Sequence, residues 1–441
     1  MDWQKDYEAK FISAERVAEM VKSGDRIAFT VGREAFACGL AIAARKEELK
    51  DVKIFAGTPT HDFGWYDAGW EDSFSLLIAV PTATCQDAVD ERRCDMLPTF
   101  PHEHMLPNWT PDLLLAEVSP PDRNGFCSFG NSVWNKKKDI RRARKAGKLV
   151  VAELNEHLIR TYGDNFIHVS EIDYFVEHQS GGGEGPGTGS LAGRAVKETE
   201  PYVKDIIRHV NGVIRDGDTV QIGVGRTTEQ LVRLGIFEGK SDIGFHSEAT
   251  PPGVIALVRE GVINGARKTL HREKVVATSI GGSTREEMEW VQMNPLFNLL
   301  DYDYVSDYRV ISAHDNMTAI NNALLVDLGG QIAAESLGPQ ILGSAGGQPD
   351  FAIAAIGAKG GRSLTILPST GRNGKATRIV PALPEGTWVT IPRTYADHVI
   401  TEYGVAKLRG KSMRERAAAL ISIAHPDFRE ELTNAAKRMF G

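Results

Sequence analysis

Cysteine is scarce in this chain: 441 residues hold four, Cys38, Cys85, Cys94 and Cys127, and no two form a CxxC pair. Such spacing offers neither a zinc site nor a disulfide framework, and it suits the reduced thiols of a cytoplasmic enzyme. Long apolar runs are missing as well. No stretch nears the ~18 apolar residues of a membrane span. The opening Met1-Asp2-Trp3-Gln4-Lys5-Asp6 has none of the apolar character of a secretory signal. Positive charge is not in surplus: the formal net charge is −7, which argues against nucleic acid or an anionic membrane as the main partner. Dinucleotide and metalloprotease signatures are absent too. His102-Glu103-His104 looks metal-like, but successive residues of a strand or turn point in different directions. It also lacks the i,i+4 spacing of HExxH, so no metal site is expected.

What is present is an alternation of short apolar runs and amphipathic segments. Lys53–Ala56, Ser75–Val80, Leu113–Val118 and Leu149–Glu153 read as buried strands, with helices at Ala14–Ser23 and Ala37–Leu49. This pattern predicts a largely parallel sheet covered on both faces. Residues 180–189, with six glycines and one proline, can hold no regular element. They mark the boundary between two expected domains, 1–185 and 186–441. The second half repeats the style of the first: strands at Thr219–Ile222, Lys274–Ser279, Arg309–Ser312, Phe351–Ile356 and Ser363–Leu367, and a helix at Glu229–Leu234. The expected fold class is α/β, with two similar open domains of mostly parallel strands and a ligand cleft between them. The basic run Lys136–Lys138 and Arg141–Lys145 reads as the solvated face of a helix.

Three segments carry candidate chemistry. In Gln221-Ile222-Gly223-Val224-Gly225-Arg226-Thr227 a strand runs into a glycine turn, and Thr227 with Gln230 has capping-box spacing. Glycine lets a ligand approach the backbone, and free N–H groups at a helix start attract an anion or a polarised carbonyl. In Phe245-His246-Ser247-Glu248-Ala249-Thr250-Pro251-Pro252-Gly253 a carboxylate stands at a strand end, where open α/β sheets place their sites. In isolation a surface glutamate at a loop start and a satisfied interior histidine are the simpler readings of Glu248 and His246. Third, Gly343-Ser344-Ala345-Gly346-Gly347-Gln348-Pro349-Asp350-Phe351 is a glycine loop that could offer N–H groups to an oxyanion, or be only a turn before a strand. Downstream, Arg372 and Lys375 form a basic pair in a loop, suited to a phosphate-bearing ligand or to solvent.

Together these segments resemble the acetyl-CoA hydrolase/transferase family, a branch of the class I CoA-transferases. The resemblance runs through QIGVG at 221–225, GFHSE at 244–248, INNALLVDLGGQIAAESLG at 320–338, GSAGGQPDF at 343–351 and LTILPST at 364–370. It continues through VITEYGVAKLRGKSMRERA at 399–417 and LISIAHPDFREEL at 420–432, with VSPPDRNGFCSFG at 118–130 and VSEIDYFVE at 169–177 in the first half.

The resemblance implies roles residue by residue. Glu248 would be the nucleophile, the Val224 amide a donor to the thioester carbonyl, and Gly347 the other oxyanion donor. CoA contacts would come from Gly223, Val224, Gly225, Arg226 and Thr227, from Asn321, Asn322 and Ala323, from Gly346 and Gly347, and from Arg372 and Lys375. Glu402 and Gln221 would support the substrate site. No cofactor beyond CoA as substrate and no metal is implied, and relatives imply a homodimer acting on an acyl-CoA and small carboxylic acids. Departures include Ser306 where relatives often carry asparagine, and Thr250-Pro251-Pro252 where they commonly carry Ser-Asp-Gly. Acids of the 4-hydroxybutyrate, butyrate and acetate type are expected. The alternatives are itaconate or succinate, hydrolysis of acyl-CoA through the same glutamate, or a non-catalytic α/β module.

Overall fold

Every residue of the run Leu113–Val118 is buried, as a parallel strand covered on both faces requires. In the computed structural model, which describes residues 3–98, 108–177, 201–225, 227–281 and 284–441, this run is a strand of a seven-stranded sheet. The strands are β1 (Arg26–Phe29), β2 (Val52–Ala56), β3 (Phe74–Ile78), β4 (Cys94–Met96), β5 (Leu113–Val118), β6 (Leu149–Leu154) and β7 (Tyr174–Glu177). Their order is β7-β6-β5-β1-β2-β3-β4, and every neighbouring pair is parallel. The chain therefore steps outward from β1 through β2, β3 and β4, then returns to the other side of β1 at β5. Ligands favour such a reversal point. The core of this unit joins Ala28, Phe55, Leu114, Val150 and Phe175, and each large apolar side chain so buried contributes roughly 1.5–3 kcal/mol.

The second unit has strands β8 (Thr219–Ile222), β9 (Gly244–Thr250), β10 (Met317–Asn322), β11 (Arg362–Ile366), β12 (His398–Thr401) and β13 (Gly404–Lys407). They run β13-β12-β11-β10-β8-β9, parallel except for the edge pair β12–β13. Here the order reverses at β8 and β10. Val326, Leu367, Val399 and Leu420 belong to its core. The compact units are Met1–Arg194 with Thr278–Asp303, and Ala195–Ala277 with Tyr304–Gly441. The segment 278–303 thus groups with the first unit, not with its sequence neighbours. The glycine-rich stretch 180–189 and His102-Glu103-His104 lie outside the described residues. Among the described residues no helix is long and apolar enough to cross a membrane, and no group of His, Cys, Asp and Glu could hold a metal ion.

The helices used below are α1 (Phe36–Ala43), α2 (Lys136–Lys145), α3 (Thr228–Arg233), α4 (Tyr308–Ser312) and α5 (Gln348–Gly357). Two of them correct the strand reading. Arg309–Ser312 belongs to α4, because Asp307 caps that helix by accepting the Arg309 N–H at 2.7 Å. Phe351–Ile356 belongs to α5, whose N-cap is Gly347 and which has Pro349 in its first turn. Short apolar runs do not separate strand from buried helix, and here the starting residues decide. The expected solvated face at 136–145 is indeed a helix, but Lys136, Asp139, Ile140 and Ala143 form a buried stripe along it.

Candidate active site

Strand alternation puts Gly244, His246, Glu248 and Thr250 on one side of β9. Glu248, two residues before the strand ends, is part-buried, and its Oε2 accepts the Gly347 N–H at 2.9 Å. That N–H is available to the Glu248 side chain because Gly347 is the N-cap of α5, where helical N–H groups have no partner inside the helix. Burial pushes the Glu248 carboxyl up from 4.5 to about 7, against the opposing pull of the Gly347 amide. Although some of the side chain is exposed, desolvation by surrounding protein dominates.

Gly347 has φ −78°, which any residue adopts. Its lack of a side chain has another cause: a Cβ there would overlap Glu248 Oε2. The same holds at the glycine turn. A side chain at Gly223 would overlap Asn321 Oδ1, and one at Gly225 would overlap Asn322 Nδ2. These glycines give room to two asparagines at the end of β10, across the point where the strand order reverses.

A polar network joins these pieces. Gln221 and Asn321 exchange amide hydrogen bonds of 3.0 and 3.1 Å between β8 and β10. Asn322 Nδ2 donates to Thr228 Oγ1 at 2.8 Å, and that hydroxyl donates to the Gly225 carbonyl at 3.2 Å. Gln348 Nε2 donates to the Asn322 carbonyl at 3.1 Å, tying the start of α5 to the same corner. Asn322 Oδ1 is buried and has no hydrogen-bond partner among the described residues. The structure thus brings together Gly223, Gly225, Asn321, Asn322, Gly347 and Gln348, with Glu248 hydrogen-bonded at Gly347.

Other expected residues stand differently. Val224 is 43% exposed in the turn after β8. Arg226 lies outside the described residues. Thr227 is the N-cap of α3, but its side chain makes no capping hydrogen bond, so the expected capping box does not form. Gln221 is buried and committed to Asn321, which makes it a brace. Ala323 is buried, with its N–H given to the Ile366 carbonyl. Gly346 has φ +50° and open space around it. Arg372 and Lys375 are exposed in the turn between Thr370–Gly371 and Ala376–Thr377. Glu402 accepts the Ser369 N–H at 2.9 Å and its hydroxyl at 2.6 Å, holding the stretch that leads into that turn. Among the described residues no hydrogen bond joins Arg372, Lys375 or Glu402 to Glu248 or Gly347.

Asp350 is a further acid at this site, to which the sequence motifs assign no role. It lies in the first turn of α5, and burial together with the nearby Glu248 and Asp307 charges pushes its carboxyl up to about 8. The signal was an acid three residues after a helix-starting glycine. His246 proves to be an interior histidine: burial and His314, whose tilted ring lies 4.6 Å away, hold it neutral, and Nε2 bonds to the Val305 carbonyl at 2.8 Å. Ser306, the departure from asparagine, is fully buried.

Comparison with known proteins decides the family. The acetyl-CoA hydrolase/transferase N-terminal domain matches residues 1–181, and its C-terminal domain matches residues 283–436. The chain belongs to the acetyl-CoA hydrolase/transferase family. It is 36% identical to the 4-hydroxybutyrate coenzyme A transferase of Clostridium kluyveri, over 100% of both chains. The succinyl-CoA:cyclohexane-1-carboxylate CoA transferase of Geobacter metallireducens is 34% identical, over 99% of this chain and 97% of that one. A solved 4-hydroxybutyrate CoA-transferase from Porphyromonas gingivalis superposes with a TM-score of 0.74 at 32% identity, covering 100% of each chain. This member of the family is an enzyme of the CoA-transferase class.

A stability measurement checks the environment of Glu248. Below about pH 4.5 folded and unfolded chains both hold the proton on this group; between there and about 7 the unfolded chain releases a proton that the folded chain keeps. Stability due to this group therefore falls as pH rises through that window and is level above it. Glu248→Gln removes the titration. Its stability relative to the parent should rise between about pH 4.5 and 7, by at most about 3 kcal/mol, less whatever water screens. Thermal unfolding of both proteins across that range measures it, and a constant difference would contradict the raised carboxyl.

Proposed function

We propose that the enzyme moves CoA between an acyl-CoA and a small carboxylic acid by a ping-pong route through a γ-glutamyl-CoA thioester on Glu248. The observation that carries this reading is the Gly347 N–H seated on the Glu248 carboxylate at 2.9 Å. A carboxylate oxygen of Glu248 attacks the acyl carbonyl; the C–S bond breaks, leaving a mixed anhydride and CoA thiolate. The thiolate then attacks the Glu248 carbonyl carbon, releasing the first acid and forming the thioester. The acceptor carboxylate attacks that thioester to give a new anhydride and thiolate. Attack of the thiolate on the acyl carbon yields the new acyl-CoA and restores Glu248.

Each attack on Glu248 places negative charge on its own carbonyl oxygen, beside the Gly347 N–H. The Val224 amide is assigned to the carbonyl of the acyl-CoA. Such donors act most strongly where the charge develops. A carboxyl raised to about 7 is also a better nucleophile than an ordinary one, while still ionised in a substantial fraction at neutral pH. The steps balance without a redox cofactor or metal. We assign the acids to the small monocarboxylic class, with 4-hydroxybutyrate, butyrate and acetate the first to test, since relatives are named for 4-hydroxybutyrate and butyrate. A cytoplasmic homodimer completes the proposal; four free cysteines suit that compartment.

Product analysis separates transfer from hydrolysis. Butyryl-CoA with acetate should give acetyl-CoA and butyrate in equal amounts, and loss of butyryl-CoA should nearly stop without acetate. Steady release of free CoA at the same rate with or without acetate would make the enzyme a hydrolase.

A further inference from the structure

The glycine turn after β8 and the Gly347 amide stand at opposite ends of one run of hydrogen bonds. On the side of the turn, the Gly225 carbonyl accepts the Thr228 hydroxyl at 3.2 Å, and that hydroxyl accepts Asn322 Nδ2 at 2.8 Å. On the other side, the Asn322 carbonyl accepts Gln348 Nε2 at 3.1 Å. Gln348 follows Gly347 directly, and the Gly347 N–H meets Glu248 at 2.9 Å. The sequence motifs assign Gln348 no role.

The start of α5 has weak support of its own. Gly347, as N-cap, has no side chain to close the first turn, and Gly346 before it has open space around it. The Gln348 N–H turns back within the same loop, onto the Ala345 carbonyl at 3.1 Å. The Gln348 side chain does something different: it reaches out of the loop to the end of β10, a strand with β8 on one side and β11 on the other. An interior strand is a firm anchor, and a donor amide must be held to within a fraction of an ångström to act on developing charge.

We propose that Gln348 is a positioning residue for CoA transfer: through the Asn322 carbonyl it holds the first turn of α5 so that the Gly347 N–H stays on Glu248. This rests on Glu248 as the nucleophile. Without the tie, the amide spends part of its time away from Glu248, and the oxyanion formed there loses part of its donor. The same N–H draws the Glu248 carboxyl down against the effect of burial, so its partial loss lets that carboxyl rise further. Asp350 on the same helix, Asp307 before α4 and His246 on β9 are the other titratable groups of this region. A neutral replacement of Gln348 changes the charge of none of them.

The test is Gln348→Met, which keeps the length of the side chain and removes the donor. The control is Gln331→Met, since Gln331 Nε2 makes a bond of the same kind to Asp327 Oδ2, at 2.7 Å. Both variants and the parent are assayed with butyryl-CoA and acetate across the pH range in which Glu248 titrates. In Gln348→Met, kcat and kcat/KM for butyryl-CoA should fall together by about fivefold, the size of one neutral hydrogen bond. The rise of kcat/KM with pH, which follows ionisation of Glu248, should move to higher pH by about half a pH unit or more. Gln331→Met should keep the parent kcat and pH profile and lose only stability. An unmoved pH profile in Gln348→Met, or a rate loss that merely follows its loss of thermal stability, would overturn the positioning role. Should Gln348→Met fail to fold, Gln348→Ala is read by the same two measures. Mass analysis after incubation with butyryl-CoA keeps the two failures apart. CoA on Glu248 in the parent, with an unmoved profile in the variant, overturns the role of Gln348 alone; CoA absent from Glu248 in an active parent overturns the nucleophile on which it rests.

Discussion

Glu248→Ala should abolish CoA transfer and leave the protein folded, and Glu248→Asp should retain less than about a hundredth of the parent rate. Among the described residues the side chain makes one hydrogen bond, to Gly347, and its buried charge disfavours folding at neutral pH, so its removal does not threaten the core. Aspartate keeps the charge but withdraws the attacking oxygen by more than about an ångström, a displacement of the size that costs ~10²-fold. It also leaves the Gly347 N–H without its present partner. Steady-state rates for both variants, with thermal unfolding as the control, measure this. An aspartate variant keeping more than about a tenth of the parent rate would defeat the positional argument.

Gly347→Ala should lower kcat tenfold or more, toward the ~10²–10³ that loss of one oxyanion donor costs, and should unfold at nearly the parent temperature. The backbone there has φ −78°, so alanine brings no conformational strain. Its methyl would overlap Glu248 Oε2, so the carboxylate must leave the amide. Gly330 is the contrast. It has φ +94° and close neighbours in Leu408 and Arg416, so alanine there should cost about 1 kcal/mol or more of stability and spare kcat. If kcat in both variants instead follows their loss of stability, the Gly346-Gly347 loop is only a turn.

The parts of the fold written as apolar periodicity were legible in the sequence. Leu113–Val118 and Thr219–Ile222 are strands as expected, because burial on both faces demands continuous apolar residues. Phe351–Ile356 was not, since FAIAAI suits a buried strand or a buried helix, and Gly347 and Pro349 before it select the helix. That correction strengthens the site, because a helix start leaves the Gly347 N–H free where a strand would use it. The reasons for the glycines at 223, 225 and 347 were hidden as well. Each makes room for a side chain far along the chain, Asn321, Asn322 or Glu248, which no local pattern reveals. Lys136 was hidden inside a basic run: only the fold shows that one lysine turns inward while Lys138 and Lys145 stay outside.

The central claim is a covalent bond between CoA and Glu248. Mass analysis of the enzyme after incubation with butyryl-CoA, without an acceptor acid, tests it most directly. The peptide containing Glu248 should gain the mass of CoA less water, and adding acetate should discharge it as acetyl-CoA. An enzyme that transfers CoA under the same conditions while this peptide stays unmodified, with CoA found on another residue or on none, would contradict the account.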